Sequence, residues 1–177
     1  MLKALKQKYG KHQLSKLLKR RRHTAIAVNF ENVKRLGVIY PADEEKQFGK
    51  VKSLMEALPE HINFSTLGYA DAKSLSDFHI QTAEFRFFCH EDLNWYYKPV
   101  SSTVRTFVEV PFDVLIDLSK ENRLPIQFVL AETHARLIAG RFQDNTLCDF
   151  MINPTENQSD EYLFEQLIRY LKMIKTK

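Results

Sequence analysis

The chain has 177 residues, 44% of them hydrophobic and 27% charged, with 5 Gly and 6 Pro. This is one domain's worth of ordinary globular sequence, and it excludes a low-complexity or loop-rich chain. The net charge of +4 hides an asymmetry: residues 1–22 carry nine bases and no acid, which leaves seventeen bases against 22 acids, a net −5, in residues 23–177.

The two cysteines, Cys89 and Cys148, are too few for a disulfide framework and point to a reducing, cytoplasmic setting. No apolar run approaches the length of a bilayer span. The N-terminal leucines are interrupted by lysines, so no secretory h-region forms.

In chain order, residues 1–22 favour a helix with a thin apolar stripe of Leu2, Leu5, Leu14, Leu17 and Leu18, weakened at Gly10. Two readings stand side by side. The segment is a basic arm, residues 1–23, that docks on RNA, the ribosome or an anionic membrane surface. Or its leucines pack on the domain while its lysines face water. Lys16, Lys19, Arg20, Arg21 and Arg22 are the residues expected to touch an anionic partner. No aromatic residues interleave with these bases, so contact is expected with a phosphate backbone rather than with stacked bases.

The remainder, residues 24–177, reads as a single domain. Ala25 to Phe30 has the look of a short edge strand, and Leu36 to Tyr40 is a clearer strand ended by Pro41. Asp43 suits a helix N-cap, and Phe48, Val51, Leu54, Met55 and Leu58 recur at helical spacing up to Pro59. Ile62 to Tyr69 repeats the strand signal, Ala72 to Ile80 a weaker helix, and Glu84 to Phe88 a third strand. Cys89 to Pro99 is a polar and aromatic loop holding the single tryptophan, Trp95.

A short helix through Val108 precedes the buried strand Val114 to Leu118. Leu124 to Leu137 reads as a helix with Pro125 in its first turn. Ile138 to Phe142 and Leu147 to Ile152 are strands, the last two either continuing the sheet or forming an antiparallel pair at its edge. A final helix is capped at Ser159 or Asp160 and lined by Leu163, Leu167 and Leu171. Strands alternating with helices predict a Rossmann-like, doubly wound, mostly parallel sheet of about five or six strands with helices on both faces, preceded by the basic helix.

In such a sheet, ligands sit beyond the carboxyl ends of the strands. Asp43, Asn94, Asp117 and Ser119 are the candidate ligand residues by that rule. There is no G-x-G-x-x-G, no Walker loop, no G-x-S-x-G and no metal-ligand spacing among the histidines. Neither a cofactor nor a metal is expected, and the balance leans away from catalysis. Cys89 beside His90 is the one tempting nucleophile pair, but neighbours on a strand point to opposite sides.

Several stretches carry a resemblance. Asp92-Leu93-Asn94-Trp95 with Lys98-Pro99, Pro111 to Leu118, Ala139 to Phe142, Asp149 to Ile152 and a closing leucine-rich helix resemble an uncharacterised bacterial family of similar length, found mainly in Bacteroidota. The likeness spans nearly the whole chain and implies the domain boundaries and a cytosolic setting, with no activity attached. More locally, Phe112 to Leu118 leading through a helix to Ile138–Phe142 is similar to the N-terminal domain of heptosyltransferase-type glycosyltransferases. That likeness covers about one βαβ unit and implies a nucleotide or sugar ligand as the alternative to an anionic macromolecule.

Overall fold

The computed structural model describes residues 1–175, so the last two residues of the expected 24–177 domain lie outside the described residues. Six strands form one sheet: β1 (Arg35–Pro41), β2 (Asn63–Tyr69), β3 (Phe85–Phe88), β4 (Val114–Asp117), β5 (Leu137–Arg141) and β6 (Phe150–Ile152). Their order is β3-β2-β1-β4-β5-β6 and every neighbouring pair is parallel. This is the expected doubly wound, Rossmann-like sheet. The strand order reverses between β1 and β4, where Leu36 stands beside Val114 and Ile39 beside Asp117.

Side-chain alternation sends each central strand to two cores. Leu36, Val38 and Tyr40 face one side with α2 (Glu45–Glu56) and α5 (Asp160–Met173), through Val51, Met55, Leu163, Leu167 and Leu171. Ile39, Leu67 and Leu115 face the other with α3 (Ser102–Val108) and α4 (Leu124–Glu132), through Val104, Phe107, Ile126 and Val129.

One helix belongs to neither layer. The basic α1 (Leu2–Arg20) lies against the outside of α4. Every residue of α4 from Pro125 to Ala131 is buried. A helix apolar on all sides needs cover on all sides; the sheet covers one face of α4 and α1 covers much of the other. Gly10, the apparent weak point of α1, is its single buried residue and its closest approach to the domain. A Cβ there would overlap the Tyr96 carbonyl oxygen and come within 2.8 Å of Leu124 Cδ2. The missing side chain lets two backbones touch, which outweighs its helix-propensity cost of about 1 kcal/mol.

Two stretches, 72–80 and 25–29, differ from the sequence expectations for local reasons. The helix expected over 124–137 ends at Glu132, and of the two arrangements expected for β5 and β6 the parallel one is found. Residues 72–80 form no helix. Ser74, Ser76 and Asp77 compete with the helical backbone, and the loop is pinned instead by His79, whose ring nitrogens meet Ser76 N at 2.9 Å and Ala42 O at 2.7 Å. Residues 25–29 form no strand; Asn29 caps the end of α5 by donating to Ile174 O at 2.7 Å. The β5–β6 pair is parallel, not antiparallel. The short return loop is held because the Asp149 carboxylate accepts Ile138 N at 2.8 Å while Asp149 N donates to Ile138 O at 2.8 Å. One residue thereby stands in for a missing stretch of strand.

Candidate functional site

The turn from β1 to α2 is where an open α/β sheet would hold a phosphate on backbone N–H groups. Here the sequence reads Pro41-Ala42-Asp43-Glu44, without glycine. The start of α2 is closed from within: Gln47 accepts Glu44 N at 3.0 Å through its side chain, and Gln47 N donates to Glu44 O at 3.0 Å. Asp43 is engaged as well: one oxygen accepts Arg123 Nη1 at 2.7 Å and the other accepts Asp71 N at 2.8 Å.

At the end of β4, Asp117 is 2% exposed and accepts Ser119 N at 2.9 Å. Burial pushes its carboxyl up to about 6, against the opposing hydrogen bond from Ser119 N and the attraction of Arg141. Arg141 is itself buried and donates to Gln158 at 2.7 Å, with Asp160 at 3.5 Å. Three buried atoms of this cluster, Ser119 Oγ, Arg141 Nε and Asp160 Oδ1, lack a hydrogen-bond partner. Cys148 lies on the same cluster, where Gly140 leaves it room: a Cβ at Gly140 would be 2.7 Å from Cys148 Sγ. Burial, with Asp117 adding, pushes that thiol up to about 12, so it is not a nucleophile at neutral pH.

Asn94 is spent on a turn. Its side-chain oxygen accepts Tyr96 N at 3.1 Å and Lys98 N at 3.0 Å, and the turn holds Tyr97 at φ 69°. Cys89 and His90 do not pair: the Cys89 thiol points to Lys73 O, while His90 Nε2 lies 2.6 Å from Asp71 Oδ1. Burial raises the Cys89 thiol. Asp117 and Ser119 are thus brought together, Asp43 joins a separate network through Arg123, and Asn94 stands apart. None of the four lines any of four surface clefts of about 360 to 810 Å³.

The basic C-terminal turn of α1 behaves differently. Lys16, Lys19, Arg20 and Arg22 are exposed, and Arg21 is half-buried. A groove of about 810 Å³ runs between this turn, α3 and the end of α4, beside the start of β5. Its bases are Arg20, Arg21, Arg22, Lys98, Arg105 and Arg136. Lys98 pairs with Glu132, and Arg136 lies 3.4 Å from Asp113. Among the described residues, Arg20, Arg21, Arg22 and Arg105 have no carboxylate partner. Two buried polar atoms on groove-lining residues, Arg21 Nη2 and Ser101 Oγ, also lack a partner. Lys98, Arg105 and Arg136 come from three remote stretches, and nothing in their spacing announces that they join the arm.

With this geometry in hand, the chain can be placed among known families. Residues 6–174 match a family of unknown function, DUF6913, and the chain belongs to that family. No curated protein and no solved structure matches it.

Proposed function

We propose that this member of the DUF6913 family is a non-catalytic domain that binds RNA, free or ribosomal, by holding the sugar–phosphate backbone in the groove between α1 and α3. The supporting observation is the gathering of Arg20, Arg21, Arg22 and Arg105 around one groove with no ion-pair partner among the described residues; of the two carboxylates that also line it, Glu132 is taken by Lys98 and Glu109 pairs with none of the four. Arginine forks suit phosphate geometry, and two groove-lining residues hold buried polar atoms that await a partner. Lys16 and Lys19 extend the same charge along α1.

RNA is favoured over a membrane surface by the layout of α1. Beside the basic cluster at the end of α1, Leu14, Leu17 and Leu18 are half-buried, so no exposed apolar stripe accompanies the arginines. An interfacial helix needs that stripe along its whole length. A nucleotide- or sugar-binding role at Asp43, Asn94, Asp117 and Ser119 has weaker support, because the first three side chains and the Ser119 backbone are engaged within the chain.

The test is filter binding of single-stranded RNA against salt. Deleting residues 1–22 would uncover α4, so substitutions are the cleaner variant. Four phosphate contacts predict a slope of log K on log salt of about −3, and Arg20→Ala, Arg22→Ala and Arg105→Ala together should flatten it to about −1. A slope unchanged by the triple substitution, or binding to phosphatidylglycerol vesicles without binding to RNA, would refute the reading.

A further inference from the structure

We propose that the cleft beneath the N-terminal half of α1 is a second binding site, for a small phosphomonoester that carries free hydroxyl groups. It is separate from the arginine groove and does not depend on that groove's role. The cleft measures about 360 Å³ and lies at the carboxyl ends of β2 and β3, against the start of α4. That volume is at the lower end of the range for small-molecule sites.

Its two walls bring different chemistry. From α1 come Lys3, Gln7 and Lys11, spaced four residues apart and therefore on one helical face. Neither lysine has a carboxylate partner among the described residues. Arg123 adds a third cation; it meets Asp43 through Nη1 and Glu121 through Nε, which leaves Nη2 uncommitted to either acid.

From the strand ends come Asp71 and His90. His90 Nε2 at 2.6 Å and the Tyr69 hydroxyl at 3.2 Å both converge on Asp71 Oδ1. The His90 hydrogen bond holds the Asp71 carboxyl below its ordinary range. Asp71 is therefore a carboxylate, an acceptor only, with its second oxygen directed to neither partner. Such a group repels a phosphate and accepts hydroxyl protons. The lysines call for an anion and Asp71 calls for a hydroxyl, within one cleft. A phosphorylated sugar and a nucleoside monophosphate both offer that combination; inorganic phosphate offers only the first half.

Tyr97 completes the wall. Its φ of 69° is the left-handed conformation that glycine or asparagine adopts at lower cost. A tyrosine kept there puts an aromatic residue on the cleft wall, of a kind suited to a sugar or base.

Calorimetry on the full chain tests the site with ribose 5-phosphate, AMP and inorganic phosphate as probes. Both esters, or AMP alone, should bind more tightly than inorganic phosphate, and the first outcome assigns a sugar phosphate while the second assigns a nucleotide. Lys3→Ala with Lys11→Ala should weaken ester binding about tenfold or more. Asp71→Asn should bring the esters down to the affinity of inorganic phosphate, whose own binding should hold or tighten as the like charge is removed. Both lysines are exposed, so their loss leaves the fold in place. The proposal is overturned if neither ester binds at millimolar concentration, if phosphate binds as tightly as both esters, or if the lysine substitutions change nothing.

Discussion

The two ends of the sheet handle charge in opposite ways. At the carboxyl ends of the strands, the domain's own acids and bases satisfy each other: Asp43 with Arg123, Asp71 with His90, and the buried Asp117 beside Arg141 and Asp160. Beside the start of β5, Arg20, Arg21, Arg22 and Arg105 gather without an ion-pair partner among the described residues, although Glu109 and Glu132 also line the groove. At both ends, unneutralised bases come from α1, as Lys3 and Lys11 above and Arg20 to Arg22 below. Open α/β sheets direct attention to strand ends, yet in this chain the strand ends supply mostly structure, and the helix laid over them supplies the free charge.

That contrast depends on α1 being seated, and Gly10 is the place to break it. Gly10→Val puts a branched side chain into the Tyr96 carbonyl and Leu124. Overpacking at a backbone contact that cannot yield should destabilise the protein by about 3 kcal/mol in urea denaturation. It should also expose the outer face of α4 and weaken RNA binding, although every arginine remains. A free arm would respond with the opposite sign, since valine is a better helix former than glycine by a few tenths of a kcal/mol. A stability that rises in Gly10→Val would therefore show that α1 is not docked.

The buried cluster at the end of β4 sharpens the other side of the comparison. Asp117 titrates near 6 in the folded chain and near its ordinary 3.8 when unfolded. Between those values the folded chain binds more protons, so this carboxyl lowers stability as pH rises from about 4 to 6. Above that window the loss is about 3 kcal/mol at most. Asp117→Asn keeps an oxygen to accept Ser119 N and removes the charge. It should be more stable than the parent at pH 8 by up to that amount and indistinguishable at pH 4. Parallel melting curves for the two proteins across pH 4–8 would mean that the Asp117 carboxyl titrates alike in the folded and unfolded chain, so that burial does not raise it.

Much of this was legible in the sequence. Continuous apolar runs such as Val114 to Leu118 mark strands buried on both faces, and their alternation with helical spacing fixes the doubly wound class. The docking of α1 also left a trace, in an α4 that is apolar on every side and so must be covered twice. The stripe of α1 holds in its second half, where Leu14, Leu17 and Leu18 are half-buried, and fails in its first, where Leu2 and Leu5 are exposed and Gly10 is the buried residue. The position rule that singled out Asp43 and Asp117 would equally have reached Asp71, two residues beyond β2. The joining of Arg105 and Arg136 to the arm was not legible, because it depends on strand order and helix docking rather than on local pattern. Loops without helix, at 72–80 and 142–149, escape periodicity for a similar reason. Single side chains, His79 and Asp149, hold them by bonds to remote backbone.

Tyr97 gives the smallest and most discriminating effect. Its left-handed backbone is strained for a tyrosine, so Tyr97→Asn should gain about 0.5–1 kcal/mol in the melting of the free protein, because asparagine adopts that conformation readily. If the ring serves only the turn, nothing else should change. If it lines a ligand cleft, the same substitution should raise the melting temperature and weaken AMP or ribose 5-phosphate binding together, the signature of strain kept for function. RNA binding at the far end of α1 should be unaffected, which separates the two ends of the helix in one variant. A Tyr97→Asn protein that is less stable than the parent would assign the ring to the packing around Tyr96 and Trp95 instead.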